Sequence, residues 1–266
     1  GLGRPPRQGD ELPKDMEDYL FTNLVDSTCD SFMAQTSDEL CKRIGVTREE
    51  ADAFAALSHQ RTEATVANGI WGQEIVDVET PQGTVTAADE DHFVPGTTAE
   101  ILAGLRTHFG PDSLVTAGNA SGVVDGAAAV VLKSASRAEA DGDSPLARIV
   151  SWGIVGLEPA IMAHGPVPAS RQALAKAGLE VSDIDRWEIN EAFAGQAVAC
   201  IKDLGIDVEK VNVNGGAVGI GHPLAATGTR LTLTLAHELR RSGGRYGIAT
   251  ACIGGGQGIA IIIEAL

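Results

Sequence analysis

The 266 residues contain only four cysteines, Cys29, Cys41, Cys200 and Cys252, at no metal-ligand spacing. A disulfide framework and a thiolate metal cluster are both excluded on that count, and no metal site is expected. Positive charge is also scarce: 20 basic against 36 acidic residues give a formal net charge of -16. Such a surface repels polyanions, so neither nucleic acid nor an anionic membrane is expected as a partner. No apolar run is long enough to cross a bilayer, no leader peptide is recognisable, and no short tandem repeat or low-complexity tract occurs. A reducing, cytoplasmic setting is the expectation. The chain opens "GLGRPPRQGDELP" without methionine, as a processed product, a trimmed chain or a piece of something larger would.

What is abundant is glycine, 32 residues, within a chain that is 44% hydrophobic, which predicts a globular protein with many tight turns. Residues 1–45 read as loops and short helices around Pro5, Pro6 and Pro13. "TREEADAFAALSHQRTEATVANG" predicts a helix, with Thr47 and Glu50 as a capping box and Asn68-Gly69 as its end. "EIVDVET" and "GTVTA" flank Pro81–Gly83 as a hairpin, residues 97–109 read as a helix, and "DGAAAVVLKS" as a buried strand. From about residue 146 strands and helices alternate: strands at 147–156, 184–189, 211–215, 246–252 and 258–265, helices at 167–178, 192–205 and 222–244. This predicts an α/β fold, a mainly parallel sheet with crossover helices, the last two strands forming a hairpin. "LTLTL" alternates like a strand, but Leu231, Leu235 and Leu239 keep helical spacing.

Three junctions in this region carry chemistry-bearing residues. "NGGAVGIGHP" resembles a dinucleotide loop only superficially, because its spacing is not G-x-G-x-x-G. Its glycines more plausibly permit close backbone approach that holds His222 at the start of a helix with Pro223 at the first position. Taken alone, a histidine in this position is more often a satisfied core residue at a helix N-terminus. "ACIGGGQG" puts Cys252 at a strand end before glycines whose amides could form an oxyanion site, although a free cysteine is often only a small buried hydrophobe. In "INEAFAG", Asn190 either caps the following helix or holds a water at a reacting carbonyl. Three such residues at junctions of one α/β unit outweigh three separate packing roles.

Together, "NEAFAGQA", "NVNGGAVGIGHPLAATGTR" and "CIGGGQGIA" closely resemble the three C-terminal motifs of the thiolases. The similarity runs upstream through "GPVPASRQALAKAGL" and "VTAGNASGVVDGAAAVVL" to the helix at 47. The resemblance implies acyl transfer between coenzyme A thioesters, by Claisen condensation or its reverse, thiolysis, with coenzyme A as substrate or product and no resident cofactor. It implies that His222 activates a nucleophile and shares an oxyanion hole with an Asn190-held water. Cys252 would exchange a proton with the substrate, and the Gly254 amide would contribute to a second hole. Ser121, Met33, Met162, Ala192 and Phe193 would line the pantetheine and acyl channel, or simply pack. A neutral His222 base predicts a rate that rises near pH about 6.5.

Two departures stand out. The nucleophilic cysteine of the family, in a Cys-Gly-Ser type segment, has no counterpart, since Cys29 lies in "DSTCDSF" and Cys41 in "ELCKRIG". The implied layout is a loop domain at 1–110, the last strands of the N-terminal domain at 111–140 and the C-terminal domain at 141–266. That leaves the N-terminal half incomplete, to be completed by a companion chain carrying the nucleophile, in a dimer or higher assembly of heterodimers. A non-catalytic acyl- or lipid-binding relative and a fragment of a one-chain thiolase are the alternatives. The segment "ETPQGTVTAADEDHF" lacks the expected Lys or Arg, so coenzyme A phosphates would look to Arg4, Arg7, Arg43, Arg61 or a partner.

Overall fold

The structure, a computed structural model, describes residues 22–90 and 92–266. The loops read at residues 1–21, with Arg4 and Arg7, lie outside the described residues. Strands β1 (Val25–Asp26) and β2 (Ser31–Phe32) form a small antiparallel hairpin that runs directly into helix α1 (Met33–Ile44). Helix α2 (Arg48–Ala67) starts where its sequence requires. Thr47 Oγ1 accepts from the Glu50 N–H at 3.2 Å, and the Glu50 carboxylate accepts from the Thr47 N–H at 2.9 Å. This reciprocal cap satisfies two amides that a helix end leaves open.

The hairpin around Pro81–Gly83 is present as β3 (Val78–Thr80) and β4 (Gly83–Val85). The helix read over 97–109 is short, α3 (Ala99–Ala103), because Gly104 ends it one turn after the Thr98 cap. The expected buried strand at 125–134 is not formed, and helix α4 (Ala135–Asp141) follows it directly. Val131 and Leu132 are 86% and 71% exposed. A strand exists only by pairing, and no sheet edge among the described residues accepts this one.

The main sheet comprises β5 (Ala147–Gly156), β6 (Arg186–Ile189), β7 (Tyr246–Ile253) and β8 (Gln257–Ala265), in the order β5-β8-β7-β6. Only β6 and β7 are parallel, so the mainly parallel sheet of the sequence reading is corrected to a mixed one. The reason is the tight glycine turn after β7, which sends β8 back antiparallel and leaves β5 to pair with β8. The strand read at 211–215 is corrected as well: it contributes a single bridge, Val211 to Trp187. Asn212 adopts φ 45° and substitutes its side chain for the ladder. Its Oδ1 accepts from the Ile189 N–H and its Nδ2 donates to Ile189 O, both at 2.8 Å.

Helix α5 (Pro166–Ala177) covers β5 and β8, and α6 (Ala194–Leu204) packs between α1 and α2. Val167, Trp187, Ile189, Ala197, Ile248 and Ile262 form the centre of this core. After the single-turn α7 (Ala217–Ile220) comes α8 (Thr227–Ser242), which lays Leu231, Leu235 and Leu239 on Ala249 and Ile263. Helical spacing therefore prevails over the alternation in "LTLTL". Its start is five residues later than read, because the N–H groups of Ala226 and Thr227 both turn back to Pro223 O. No described helix is long and apolar enough to cross a membrane.

Candidate active site

The parallel pair β6 and β7 sets the frame. Ile189 is in register with Thr250, and the Asn190 N–H donates to Thr250 O at 2.9 Å. Asn190, just past the end of β6, and Cys252, the penultimate residue of β7, therefore lie at the carboxyl end of the parallel strands, where α/β proteins gather their sites.

Asn190 is fully buried and does not cap α6, whose first turn is preceded by Phe193 with no side-chain cap. Its Nδ2 instead donates to His222 Nε2 at 3.2 Å. On the other side of the ring, His222 Nδ1 lies 2.6 Å from Thr227 Oγ1, and that hydroxyl donates to Pro223 O at 3.0 Å. A hydroxyl has one proton to give, so Nδ1–H is the donor to Thr227 and Nε2 carries the lone pair. Burial, aided by the positive Arg230, pulls the His222 pKa down to about 4. His222 is thus a neutral base throughout the neutral range, and the transition expected near pH about 6.5 is displaced well to acid.

The glycine loop before His222 is organised around a carboxylate rather than a phosphate. Glu191, fully buried, accepts from Ser58 Oγ and Asn212 Nδ2 at 2.7 Å and from the Val218 N–H at 3.0 Å. A Cβ on Gly216 would sit 2.3 Å from that carboxylate, so the loop closes only around glycine there. Gly221 adopts φ 86° with Val124 packed against it, which swings His222 back so that its N–H donates to Gly122 O at 2.9 Å. Burial raises the Glu191 pKa, opposed by its Asn212 and Ser58 donors.

Ser121 joins this group, since its N–H and hydroxyl both donate to Ala192 O at 3.1 Å, and Ala120 bridges to Phe193. Cys252 and Gly254 belong to the second half of the site. Met162 is buried in an apolar cluster against which Met33 and Cys252 pack, and a Cβ on Gly254 would lie 3.5 Å from Met33 Sδ. Burial pushes the Cys252 thiol up to about 12, so it rests as a proton donor. Sequence reasoning missed Thr227, Glu191, Ser58 and Asn212. The acidic residue directly after Asn190 at a strand end was the available signal for Glu191; the other three are ordinary hydroxyl and amide residues until the fold brings them in.

Arg43 and Arg61 are already engaged. Arg43 pairs with Glu39 and with both oxygens of Glu158, while Arg61 donates to Val208 O, Val211 O and Glu209. Neither is available to a phosphate as placed. Among the described residues no group of side chains is arranged to hold a metal ion.

Residues 6–136 match the family model described as thiolase, N-terminal domain, and residues 143–265 match thiolase, C-terminal domain. An acetyl-CoA acetyltransferase of Allochromatium vinosum is 47% identical over 97% of this chain and 66% of its own length. The mitochondrial 3-ketoacyl-CoA thiolase of Homo sapiens is 46% identical over 98% of this chain and 67% of its own. Among solved structures, the Bacillus anthracis acetyl-CoA acetyltransferase superposes with a TM-score of 0.89 at 41% identity, covering all of this chain and 66% of that one. Human mitochondrial 3-ketoacyl-CoA thiolase in complex with CoA gives 0.87 at 41%, covering 99% and 67%. The chain thus spans about two thirds of the length of the relatives it matches. The expectation that it lacks the N-terminal portion is not supported, because the N-terminal model extends over residues 6–136. That expectation took the nucleophile segment as the mark of the domain, whereas the residues upstream of 136 carry the domain's pattern without it. At this identity across both domain models, and with the α/β fold of the solved relatives, the chain belongs to the thiolase family.

Proposed function

We propose that this chain transfers acyl groups between thioesters, by condensation to a 3-ketoacyl-CoA or its thiolysis, with coenzyme A as substrate or product. The observation that supports this most is the chain of bonds Asn190–His222–Thr227 at the sheet edge that also carries Cys252 and Gly254. In the thiolysis direction, His222 Nε2 takes the proton of a nucleophilic thiol, whose sulfur then bonds to the 3-keto carbon. The C2–C3 bond breaks, its electrons pass to the thioester oxygen as an enolate held by His222 and the Asn190-bound water, and Cys252 delivers its proton to C2. The Gly254 N–H belongs to the second hole, which holds the oxyanion formed at the 3-keto carbon. Coenzyme A thiol then returns a proton to Cys252 and its sulfur takes the acyl group, while the released thiolate recovers its proton from His222. Asn190 Oδ1, buried and unpartnered among the described residues, is the acceptor for a water that completes the first oxyanion hole. Ser121, Met33, Met162, Ala192 and Phe193 line the channel to these groups.

The nucleophile comes from outside these 266 residues. Cys41 and Cys200 are buried within packed helices, and both ring nitrogens of His222 bond to Asn190 and Thr227, not to a thiol. A companion chain supplies the thiol and covers Val123, Val131, Leu132, Trp152 and Ile154, all exposed, in an obligate apolar interface above about 2,000 Å² of buried area. Dimers or higher assemblies of such heterodimers, in the cytoplasm, are the expected form. A second reading has the thiol in further sequence of the same polypeptide, which the two-thirds coverage of the relatives favours. Intact mass with identification of every co-purifying chain separates the two. With a labelled acyl-CoA, the complete assembly is expected to form an acyl adduct on that outside thiol. Thiolysis by residues 1–266 alone, or an adduct on Cys252, overturns the assignment; an assembly that binds acyl chains without turnover establishes the non-catalytic alternative.

A further inference from the structure

Helix α8 carries a polar stripe beside its leucines. Thr227, Arg230, Thr234 and Glu238 fall on one face of the helix, and each meets a polar partner from another element. Thr227 meets the His222 ring, Arg230 Nη1 donates to Glu188 Oε2 at 3.4 Å, and Thr234 Oγ1 donates to Glu74 Oε2 at 2.6 Å. Glu238 accepts from Arg186 Nε at 3.0 Å and from Asn214 Nδ2 at 3.1 Å. Arg186, Glu188 and Asn190 alternate along β6 and its end, so they share one face of the sheet. Three rungs therefore join strand and helix in order: Arg186–Glu238, Glu188–Arg230 and Asn190–His222.

The middle rung is the enclosed ion pair, with the Glu188 side chain 2% exposed and that of Arg230 18%. A buried charge pair adds little stability over apolar residues of the same volume, and its best-attested use is to specify register. Arg230 Nη2 and Glu74 Oε1 are buried with no hydrogen-bond partner among the described residues, which costs stability further. Register is what the histidine needs. Arg230 stands three residues beyond Thr227, which holds Nδ1, and Glu188 two residues before Asn190, which holds Nε2. A slide of α8 along β6 would carry Thr227 and the ring away from Asn190. The guanidinium is also the positive charge that, after burial, lowers the His222 pKa. Burial pushes Glu188 up to about 8, with Glu74, Glu191 and Glu238 adding to the rise and Arg230 opposing it. Glu74 in turn faces His237, Arg230 and Arg241.

We propose that Arg230 is a positioning residue for His222: paired with Glu188, it fixes α8 against β6 in the register that sets the ring against Asn190. This rests on the acyl-transfer reading above and adds to it a residue whose side chain bonds to Glu188 and not to Asn190, His222 or Thr227.

The test uses the complete assembly. Arg230→Met keeps the stem and removes the charge and the donors. Because a misplacement of about 1 Å can cost about a hundredfold, kcat should fall by about 10- to 100-fold with KM held within about twofold. The acid limb of the rate, and the histidine NMR resonance that disappears in His222→Gln, should both move up from about pH 4 toward the ordinary value of about 6.5. Arg230→Lys, which keeps the charge, should keep the low titration and recover part of kcat. Glu188→Gln, which can still accept from Arg230, should stay within about threefold of wild type. In a His222→Ala background Arg230→Met should cost no further rate, since it acts through the ring already removed. Arg230→Gln carries the test if the methionine variant fails to fold. Full kcat in Arg230→Met, an unmoved His222 titration, or the same fold-loss with His222 already gone overturns the positioning role. An inactive wild-type assembly overturns the acyl-transfer reading, and the His222 resonance then tests the placement of Arg230 without turnover.

Discussion

Asn190 and His222 stand 32 residues apart in sequence, yet the amide nitrogen of one lies 3.2 Å from Nε2 of the other. Asn190 is held by the sheet, through Thr250, and His222 by a turn, through Gly122 and Thr227. The bond therefore joins two independently anchored backbones, and its geometry does not depend on either side chain finding its own place. Preorganised donors of this kind cost no reorganisation when charge develops.

His222→Ala and Cys252→Ser in the complete assembly are each expected to lower turnover by about 10² to 10⁴, the range for a positioned acid or base. Melting temperatures should move far less than rates. Asn190→Ala should cost less, since a water can occupy the vacated space and bond to the ring. Steady-state kinetics beside thermal melts decide it, and near-wild-type rates in the first two variants end the assignment of roles.

The acid limb of the rate belongs near pH 4, where His222 gains its proton. Rates should be level from about pH 5.5 to 7.5 if the base has a pKa two or more units below that of free histidine. The linked effect on stability has a definite sign. The folded pKa is below the unfolded one, so between about 6.5 and about 4 the unfolded chain binds the extra proton. Stability attributable to His222 is unchanged above that window and falls as pH drops through it. Urea midpoints at pH 7 and pH 5 should therefore differ more for wild type than for His222→Gln, and an equal or smaller loss in wild type contradicts the shift.

Thr227→Val removes the acceptor for Nδ1–H while keeping the shape of the side chain. The tautomer that presents a lone pair at Nε2 is then no longer selected. A fall of about tenfold in kcat is expected, the equivalent of one net hydrogen bond of roughly 1.4 kcal/mol, with KM unchanged. Thr227→Ser should retain most activity. A valine variant with full kcat removes Thr227 from the relay.

Gly216→Ala pushes a methyl group to 2.3 Å from the Glu191 carboxylate. A cost of about 1 to 3 kcal/mol is expected for such overpacking, read as a lower urea midpoint at an unaltered slope. A variant as stable as wild type would show that the loop yields more easily than its contacts suggest.

Much of the framework was legible in order. The Thr47/Glu50 box, the helical spacing of Leu231, Leu235 and Leu239, and the terminal hairpin are local patterns, and the structure contains all three. The failures were non-local. Residues 125–134 have strand composition, but a strand is defined by a neighbour that composition does not display. Residues 211–215 have it too, yet Asn212 takes the ladder's bonds with its side chain. Asn190, His222 and Cys252 could be singled out because three chemistry-bearing residues coincide at junctions of one α/β unit, and the role given to Gly254 came from the family resemblance. Thr227 and Ser58 could not, since a hydroxyl acquires meaning only from what folding brings within 3 Å of it.

The Glu191 carboxylate bonds to Ser58, 133 residues earlier in the chain, as well as to Asn212 and Val218. No local segment can assemble that arrangement. The loop bearing His222 takes its shape only after α2 has docked, when the loop-closure entropy of a long-range contact has been met. During refolding, helical signal should therefore return well before the histidine is in place. The placement of His222 is a late property of this chain, and a partly folded population would hold native-like secondary structure with the histidine not yet fixed between Asn190 and Thr227.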